Sequence, residues 1–279
     1  MASFEPRDIF GVDFSGAARP GRKIWICHAR PTRTGLKAIS LTRFSDQSPA
    51  TSRSDVHAGL VALIRQSESA LWGIDFPFGL PVDLGLGDWA EQLEQVAAWT
   101  DTEQAFGLHC CALAEERFGR KHVRRDTDRE TKTPFDCYHY YIIYQTFYGM
   151  RDVLGPLGND RSTVILPFQK ITTRAKRVVA EICPSSTIKR LGLPHQNYKQ
   201  NDTKPLADHR KAVRRTLMKG IRQEIELSAS NRKKIADDGP GDALDAVVAA
   251  IGVWSGWQGY DARQVARHER YSREGLVLM

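Results

Sequence analysis

The segment that most constrains this chain is Gly239-Pro-Gly-Asp-Ala-Leu-Asp-Ala-Val-Val-Ala-Ala-Ile251. A sharp turn opens onto a helix whose residues after Asp245 are apolar on every side. A helix without a polar face must be buried, and a sheet is the surface to bury it on. Its only charges, Asp242 and Asp245, stand at i and i+3 on one face of the first turn, where the helix dipole favours carboxylates. Acidic residues at a helix start are common stabilisers, and that is the plain reading. Two carboxylates at the mouth of an otherwise apolar helix are also a candidate site.

Two earlier segments supply strands for that helix. Asp8-Ile-Phe-Gly-Val-Asp13 is an apolar run ending on Asp, and Ser15-Gly16 follow as a tight exit. Asp13 in this setting is either a turn-former or a metal ligand. Ala70-Leu-Trp-Gly-Ile-Asp75 ends the same way without alternation, as in a strand covered on both faces of a parallel sheet. Phe76-Pro77-Phe78 give Asp75 an apolar setting in which an unpaired carboxylate is costly, so a cation is expected beside it.

Between these runs, residues 23–28 and 36–44 alternate and are rich in β-formers, joined by a polar turn at 31–35. Residues 57–65 have helical spacing, with Asp55 as the N-cap candidate. The order β-β-β-α-β is thus complete by Pro77. Residues 83–176 read as a helical and irregular insertion: 89–99, 104–117 and 138–154 have helical patterns. The intervening 118–136 is dense in Arg and Lys and reads as a mobile loop. A fifth strand ends near Glu181 and is closed by Pro184, before a short helix with Gly192 as its C-cap. Residues 206–225 form an amphipathic helix with a basic outer face, and 261–279 read as a polar, basic tail. The expectation is one α/β domain over 1–279, with a mixed five-stranded sheet flanked by helices.

Composition narrows the class only a little. The chain of 279 residues is 41% hydrophobic and 26% charged, as globular chains are. Its net charge of +7 suits a polyanionic partner only where the cations cluster. Five cysteines without a Cys-x-x-Cys pair argue against a disulfide framework or a zinc knuckle. His109 beside Cys110-Cys111 has no ligand spacing, and Ser15 has no His/Asp relay to make it a nucleophile. Glu5, Arg7 and Asp8 leave no room for a signal peptide's apolar stretch, and no apolar run nears the roughly 18 residues of a membrane span. The expectation is a cytoplasmic chain with no membrane partner.

Asp13, Asp75, Asp242 and Asp245 together offer four hard oxygen donors from two strands and a helix, a set suited to Mg²⁺ or Mn²⁺. A pair of such ions activates water and stabilises the leaving oxygen in phosphodiester hydrolysis. Carboxylates gathered without a cation repel and raise one another's pKa, so a metal-free site is expected to be acidic and poorly ordered.

The order of features resembles the RNase H-like superfamily, and the Asp-x-x-Asp helix is similar to that of its Holliday-junction-resolvase branch. More narrowly, Gly11-Val-Asp-Phe-Ser-Gly-Ala17, Gly73-Ile-Asp-Phe-Pro-Phe-Gly-Leu-Pro81, Glu181-Ile-Cys-Pro-Ser185 and Asp242-Ala-Leu-Asp-Ala-Val-Val-Ala-Ala250 resemble the domain-of-unknown-function 429 family. Gln145-Thr-Phe-Tyr-Gly-Met-Arg-Asp-Val-Leu154 and Glu274-Gly275 also fit it, so the likeness spans nearly the whole chain. It implies an RNase H-like fold and a predicted nuclease activity, without a substrate. It also implies Asp13 and Asp75 as strand ligands and Asp242 and Asp245 as helix ligands, with Glu181 ranked below them. The ending Leu276-Val-Leu-Met departs from the aromatic ending expected after Glu-Gly.

Ser15, Arg124, Arg125, Lys211 and Arg214 are the candidate nucleic-acid contacts, although a solvated basic face is the commoner explanation for such clusters. Tyr138, Tyr140, Tyr141, Tyr144 and Tyr148 can stack on bases, but their near-helical spacing favours core packing. Two other functions compete with a metal-dependent nuclease. An actin-like ATPase or small-molecule kinase shares the opening strand and turn but needs two such domains. A non-catalytic nucleic-acid-binding module shares the fold but needs no carboxylates.

Overall fold

Five apolar runs become the centre of one sheet in the computed structural model, which describes residues 4–200 and 206–279. β1 (Asp8–Asp13), β2 (Trp25–Pro31) and β3 (Leu36–Arg43) form an antiparallel meander. Helix α1 (Arg53–Gln66) follows, capped by Ser52 rather than Asp55, since the Ser52 hydroxyl accepts from the Asp55 N–H. It leads to β4 (Ala70–Ile74), parallel to β1.

The stretch 83–176 holds α2 (Trp89–Ala98), α3 (Glu103–Phe118), α4 (Asp126–Glu130) and α5 (Ile143–Tyr148). A π-helical segment (Gly149–Leu154), α6 (Gly155–Gly158) and a short strand, β5 (Thr163–Ile165), complete it. β6 (Arg177–Glu181) lies parallel between β4 and β5. After α7 (Pro184–Arg190) and α8 (Asp208–Gly220), β7 (Ile225–Glu226) adds to β3. Helices α9 (Ala229–Asp237), α10 (Asp242–Gln258), α11 (Ala262–Arg267) and α12 (Tyr271–Glu274) follow.

The fold is therefore α/β, with a mixed sheet ordered β5-β6-β4-β1-β2-β3-β7. The five expected strands are its centre. The two additional strands sit at the edges and are three and two residues long, too short to leave a periodic signal. Helices cover both faces. Val12, Ile74, Val56, Leu60 and Ile64 belong to one core, which continues into the insertion. Ile9, Leu71, Val247 and Ala250 belong to the other, built around α10.

Two glycines set how close α10 lies. A Cβ on Gly11 would fall 2.2 Å from the Ala246 carbonyl oxygen, and one on Gly73 would fall 2.6 Å from Val253 Cβ. With no side chain at either place, the helix rests directly on β1 and β4, and residues from Ala243 to Val253 are buried throughout.

Two expectations are corrected here. The charged stretch 118–136 is not a free loop: it contains α4, and Arg125 within it is 1% exposed. The 261–279 tail is not merely polar surface. Glu274 is fully buried, and Leu278 donates its N–H to the Glu181 carbonyl at 2.9 Å. Val277 forms a parallel bridge to Glu181, so the tail contacts the sheet without an aromatic residue. No helix among the described residues is long and apolar enough to cross a membrane.

Candidate metal centre

The carboxyl ends of parallel strands are where α/β sheets gather ligands. Val12 pairs with Ile74, and the Asp75 N–H continues that ladder to the Val12 carbonyl at 3.0 Å. Asp13 and Asp75 therefore leave the sheet side by side at one edge. Ile74 pairs in turn with Glu181, so β6 ends at the same edge. Helix α10 delivers its first turn above them. Its entry is fixed by Gly241 at φ 91, a left-handed position that suits glycine, and by Asp238, whose Oδ2 accepts from the Ala243 N–H at 2.9 Å.

Asp13, Asp75 and Asp245 each offer a carboxylate oxygen, and the three oxygens lie within 4.8 Å of one another. Asp242, one turn earlier than Asp245, is outside that triplet and acts on Asp13 through its charge. Burial above all, then the charges of Asp242, Asp245 and Asp75, push the Asp13 carboxyl well above the usual range, against the pull of Lys199. Burial and the Asp245 charge lead in raising Asp75 to about 8, with Glu181 and Asp242 adding and Lys199 opposing. These are the consequences of gathering like charges in a low dielectric, and a cation relieves them.

One cation is already supplied by the chain. Lys199 Nζ forms an ion pair with Asp245 Oδ2, and the Tyr198 hydroxyl donates to Asp245 Oδ1 at 2.8 Å. Desolvation works against the Lys199 ammonium, yet Asp245, Tyr198 and Asp13 hold its pKa well above the ordinary lysine value. A tyrosine and a lysine from the loop before α8 thus hold Asp245. Neither residue carried a motif, and Lys199 reads in sequence as one more surface cation.

The remaining expected site residues fall into different places. Glu181 is buried and faces Arg125, which donates to it through Nη1 at 2.8 Å and Nη2 at 2.5 Å. Its Oε2 also accepts from the Phe78 N–H at 2.9 Å. Glu181 is thus engaged with an arginine instead of joining the triplet as a further ligand. Arg125 also holds Asp128 through Nε at 3.0 Å and Nη2 at 2.8 Å, so its fork is spent inside the protein and not on phosphate.

Arg214 is likewise buried. It donates to the carbonyls of Tyr198, Asp238 and Gly239, stapling the Tyr198 loop to the turn that starts α10. Lys211 pairs with Asp208 at 3.0 Å on the exposed face of α8. Arg124 donates to the carbonyls of Thr133 and Pro134 at 2.9 Å and 3.0 Å. Ser15 lines the site, and its hydroxyl accepts from the Ala17 N–H at 3.3 Å. The loop holding it is pinned by Gln145, which donates to the Phe14 carbonyl at 2.7 Å, and by His57 Nε2, 3.1 Å from the Ser15 carbonyl.

All four aspartates line a cleft of about 1040 Å³. Lys23, Lys189, Lys199 and Arg210 also line it, so an acidic floor is bordered by cations. The residues present suit a hard divalent cation: oxygen donors only, close together, with excess negative charge. Comparison with family models, with curated proteins and with solved structures finds no match for this chain.

Proposed function

We propose that this chain is a divalent-cation-dependent nuclease of RNase H-like fold, hydrolysing phosphodiester bonds in nucleic acid. The carboxylate triplet of Asp13, Asp75 and Asp245, with its oxygens within 4.8 Å of one another in a cation-bordered cleft, is the observation that carries this reading. The fold half is supported by the meander β1–β2–β3, with β4 and then β6 added in parallel beyond β1 and an Asp-bearing helix laid across. The described residues contain one sheet, where an actin-like kinase needs two such domains.

In this reading Asp13, Asp75 and Asp245 hold Mg²⁺ or Mn²⁺, and Asp242 adds negative charge at the same mouth. Bound there, the ion supplies Lewis acidity toward water and toward a phosphodiester. Lys199 is half exposed, and an ammonium with three donors can pair with Asp245 and reach a phosphate oxygen in the cleft. Tyr198 orients Asp245, and Arg214 holds Tyr198 by its carbonyl. Lys23, Lys189 and Arg210 line the path a charged backbone would follow.

The test is incubation of the purified chain with single-stranded DNA, duplex DNA, RNA, RNA–DNA hybrid and branched DNA, in Mg²⁺ or Mn²⁺ and in EDTA. Cleavage of at least one substrate, lost in EDTA and in Asp13→Asn, is expected. Cleavage that survives Asp13→Asn, or no cleavage of any substrate, overturns the reading.

A further inference from the structure

One surface beside the cleft has no part in the core. Tyr140 is 64% exposed and Tyr141 62%, and their ring centroids lie 4.0 Å apart. His139 stands 4.4 Å from Tyr140, and Phe135 stands 4.6 Å from His139 and 5.5 Å from Tyr141. The neighbouring Tyr138 is buried and accepts a hydrogen bond from the Val123 N–H at 2.6 Å. Core packing therefore explains Tyr138 but not the two tyrosines after it.

The four rings sit on backbone that is tied down. Arg124 grips the carbonyls of Thr133 and Pro134, Lys189 donates to the Lys132 carbonyl at 2.5 Å, and Thr133 Oγ1 donates to the Phe135 carbonyl at 3.0 Å. His122 pairs with Asp136 at 2.9 Å. The group is continuous with the acidic cleft, because Phe135 and Ile142 at its inner end are among the residues lining it.

We propose that Phe135, His139, Tyr140 and Tyr141 form a stacking platform for unpaired nucleobases, which makes single-stranded nucleic acid the substrate class. This rests on the nuclease reading of the cleft. The chemistry follows from which surfaces are free on each partner. Bases in a duplex have both faces covered by neighbouring bases, whereas an unpaired base offers its face to an aromatic ring. Every base has such a face, so a platform of this kind accepts many sequences. The cations bordering the cleft suit the phosphates that run inward from stacked bases, and an apolar protein partner would have no use for them.

The experiment measures equilibrium binding of a labelled 12-nucleotide strand and of the same strand in duplex, with Ca²⁺ replacing Mg²⁺ so that the strands persist. The expected result is a single-strand preference of at least about tenfold, with affinity for the strand falling roughly ten- to a hundredfold in Tyr140→Ala/Tyr141→Ala. Tyr140→Phe/Tyr141→Phe keeps the affinity, because a ring suffices. A 2-aminopurine in the strand is quenched on binding the wild type and not on binding the alanine variant.

Unchanged strand affinity in the alanine variant, or a wild-type preference for duplex, overturns the platform. So does loss of a self-association, seen by sedimentation, with strand affinity intact. If Mn²⁺-dependent cleavage is lost in Asp13→Asn but is indifferent to strandedness and to the tyrosines, only the platform falls. If the wild type neither binds nor cuts any nucleic acid, the nuclease reading falls with it.

Discussion

Gly11 lies under Ala246 so closely that a Cβ on the glycine would come within 2.2 Å of the Ala246 carbonyl oxygen. Backbone meets backbone at that point, and no side chain can move aside. Gly11→Ala should therefore cost about 3 kcal/mol of stability, the upper end for overpacking a core. At Gly73 the obstacle is the Val253 side chain, with Cβ at 2.6 Å, Cγ1 at 2.9 Å and Cγ2 at 3.1 Å from the added atom. Gly73→Ala should destabilise less, and Gly73→Ala/Val253→Ala, which removes the two γ contacts but leaves Cβ in place, should recover only a small part of the loss. Urea midpoints of the four proteins check the pattern, and equal losses at the two glycines would contradict it.

The raised Asp75 carboxyl ties stability to pH. In the folded, metal-free chain it holds its proton up to about 8, while the unfolded chain releases it near 3.8. The stabilising difference is complete below the lower value and is lost as pH rises through the upper one. The slope over that window is about 1.4 kcal/mol per pH unit for one proton. EDTA-treated protein should lose stability on this account between pH 5 and 8. Cation binding takes the ionised carboxylate, so Mn²⁺ should raise the melting temperature more at pH 8 than at pH 6, with proton release on binding. An equal Mn²⁺ effect at the two pH values would remove the carboxylates as the site of binding.

Lys199 competes with any ion for Asp245. Replacing it by methionine removes a positive charge from the site but keeps the length of the side chain. Divalent-ion affinity of Lys199→Met should rise roughly tenfold, which is about 1.4 kcal/mol. Titration calorimetry with Mn²⁺ decides this, and an unchanged or weaker affinity refutes the competition.

Arg125 distinguishes a structural cation from a phosphate contact. Removing it leaves Glu181 and Asp128 buried without their partner, at a cost of about 3–5 kcal/mol. Arg125→Met should unfold at markedly lower denaturant, and Arg125→Lys should not rescue it, because an ammonium cannot reproduce the two-sided fork. Lys211→Met, on an exposed pair, should change stability by less than about 1 kcal/mol. Comparable stability for Arg125→Met and the wild type would show that the buried pair is not structural.

Much of this architecture was readable from residues alone where a pattern repeats. The Gly-x-Asp ending of two apolar runs, at Gly11 to Asp13 and Gly73 to Asp75, gave both strands, and the polarless helix after Asp245 required a sheet beneath it. The reason for the two glycines came only with the structure, where each lies two residues ahead of its aspartate on the face against α10. What was hidden lacked such patterns. β7 has two residues and no period. Arg125 looked like its exposed neighbours because burial of one arginine depends on Asp128 and Glu181, the latter 56 residues further along the chain. Tyr140 and Tyr141 share the spacing of buried Tyr138, and only the fold separates them. Lys199 acquires its role from a carboxylate far along the chain.

That distance has a consequence during synthesis. More than two hundred residues separate Asp13 from Asp245. At ribosomal speeds of about 5–20 residues per second, the first strand waits roughly ten to fifty seconds for the helix that covers it. Until α10 emerges, the faces around Gly11 and Gly73 are bare and no three carboxylates have met. A nascent chain halted before residue 242 therefore lacks the third carboxylate of the triplet, and the sheet faces that α10 covers stay open to solvent.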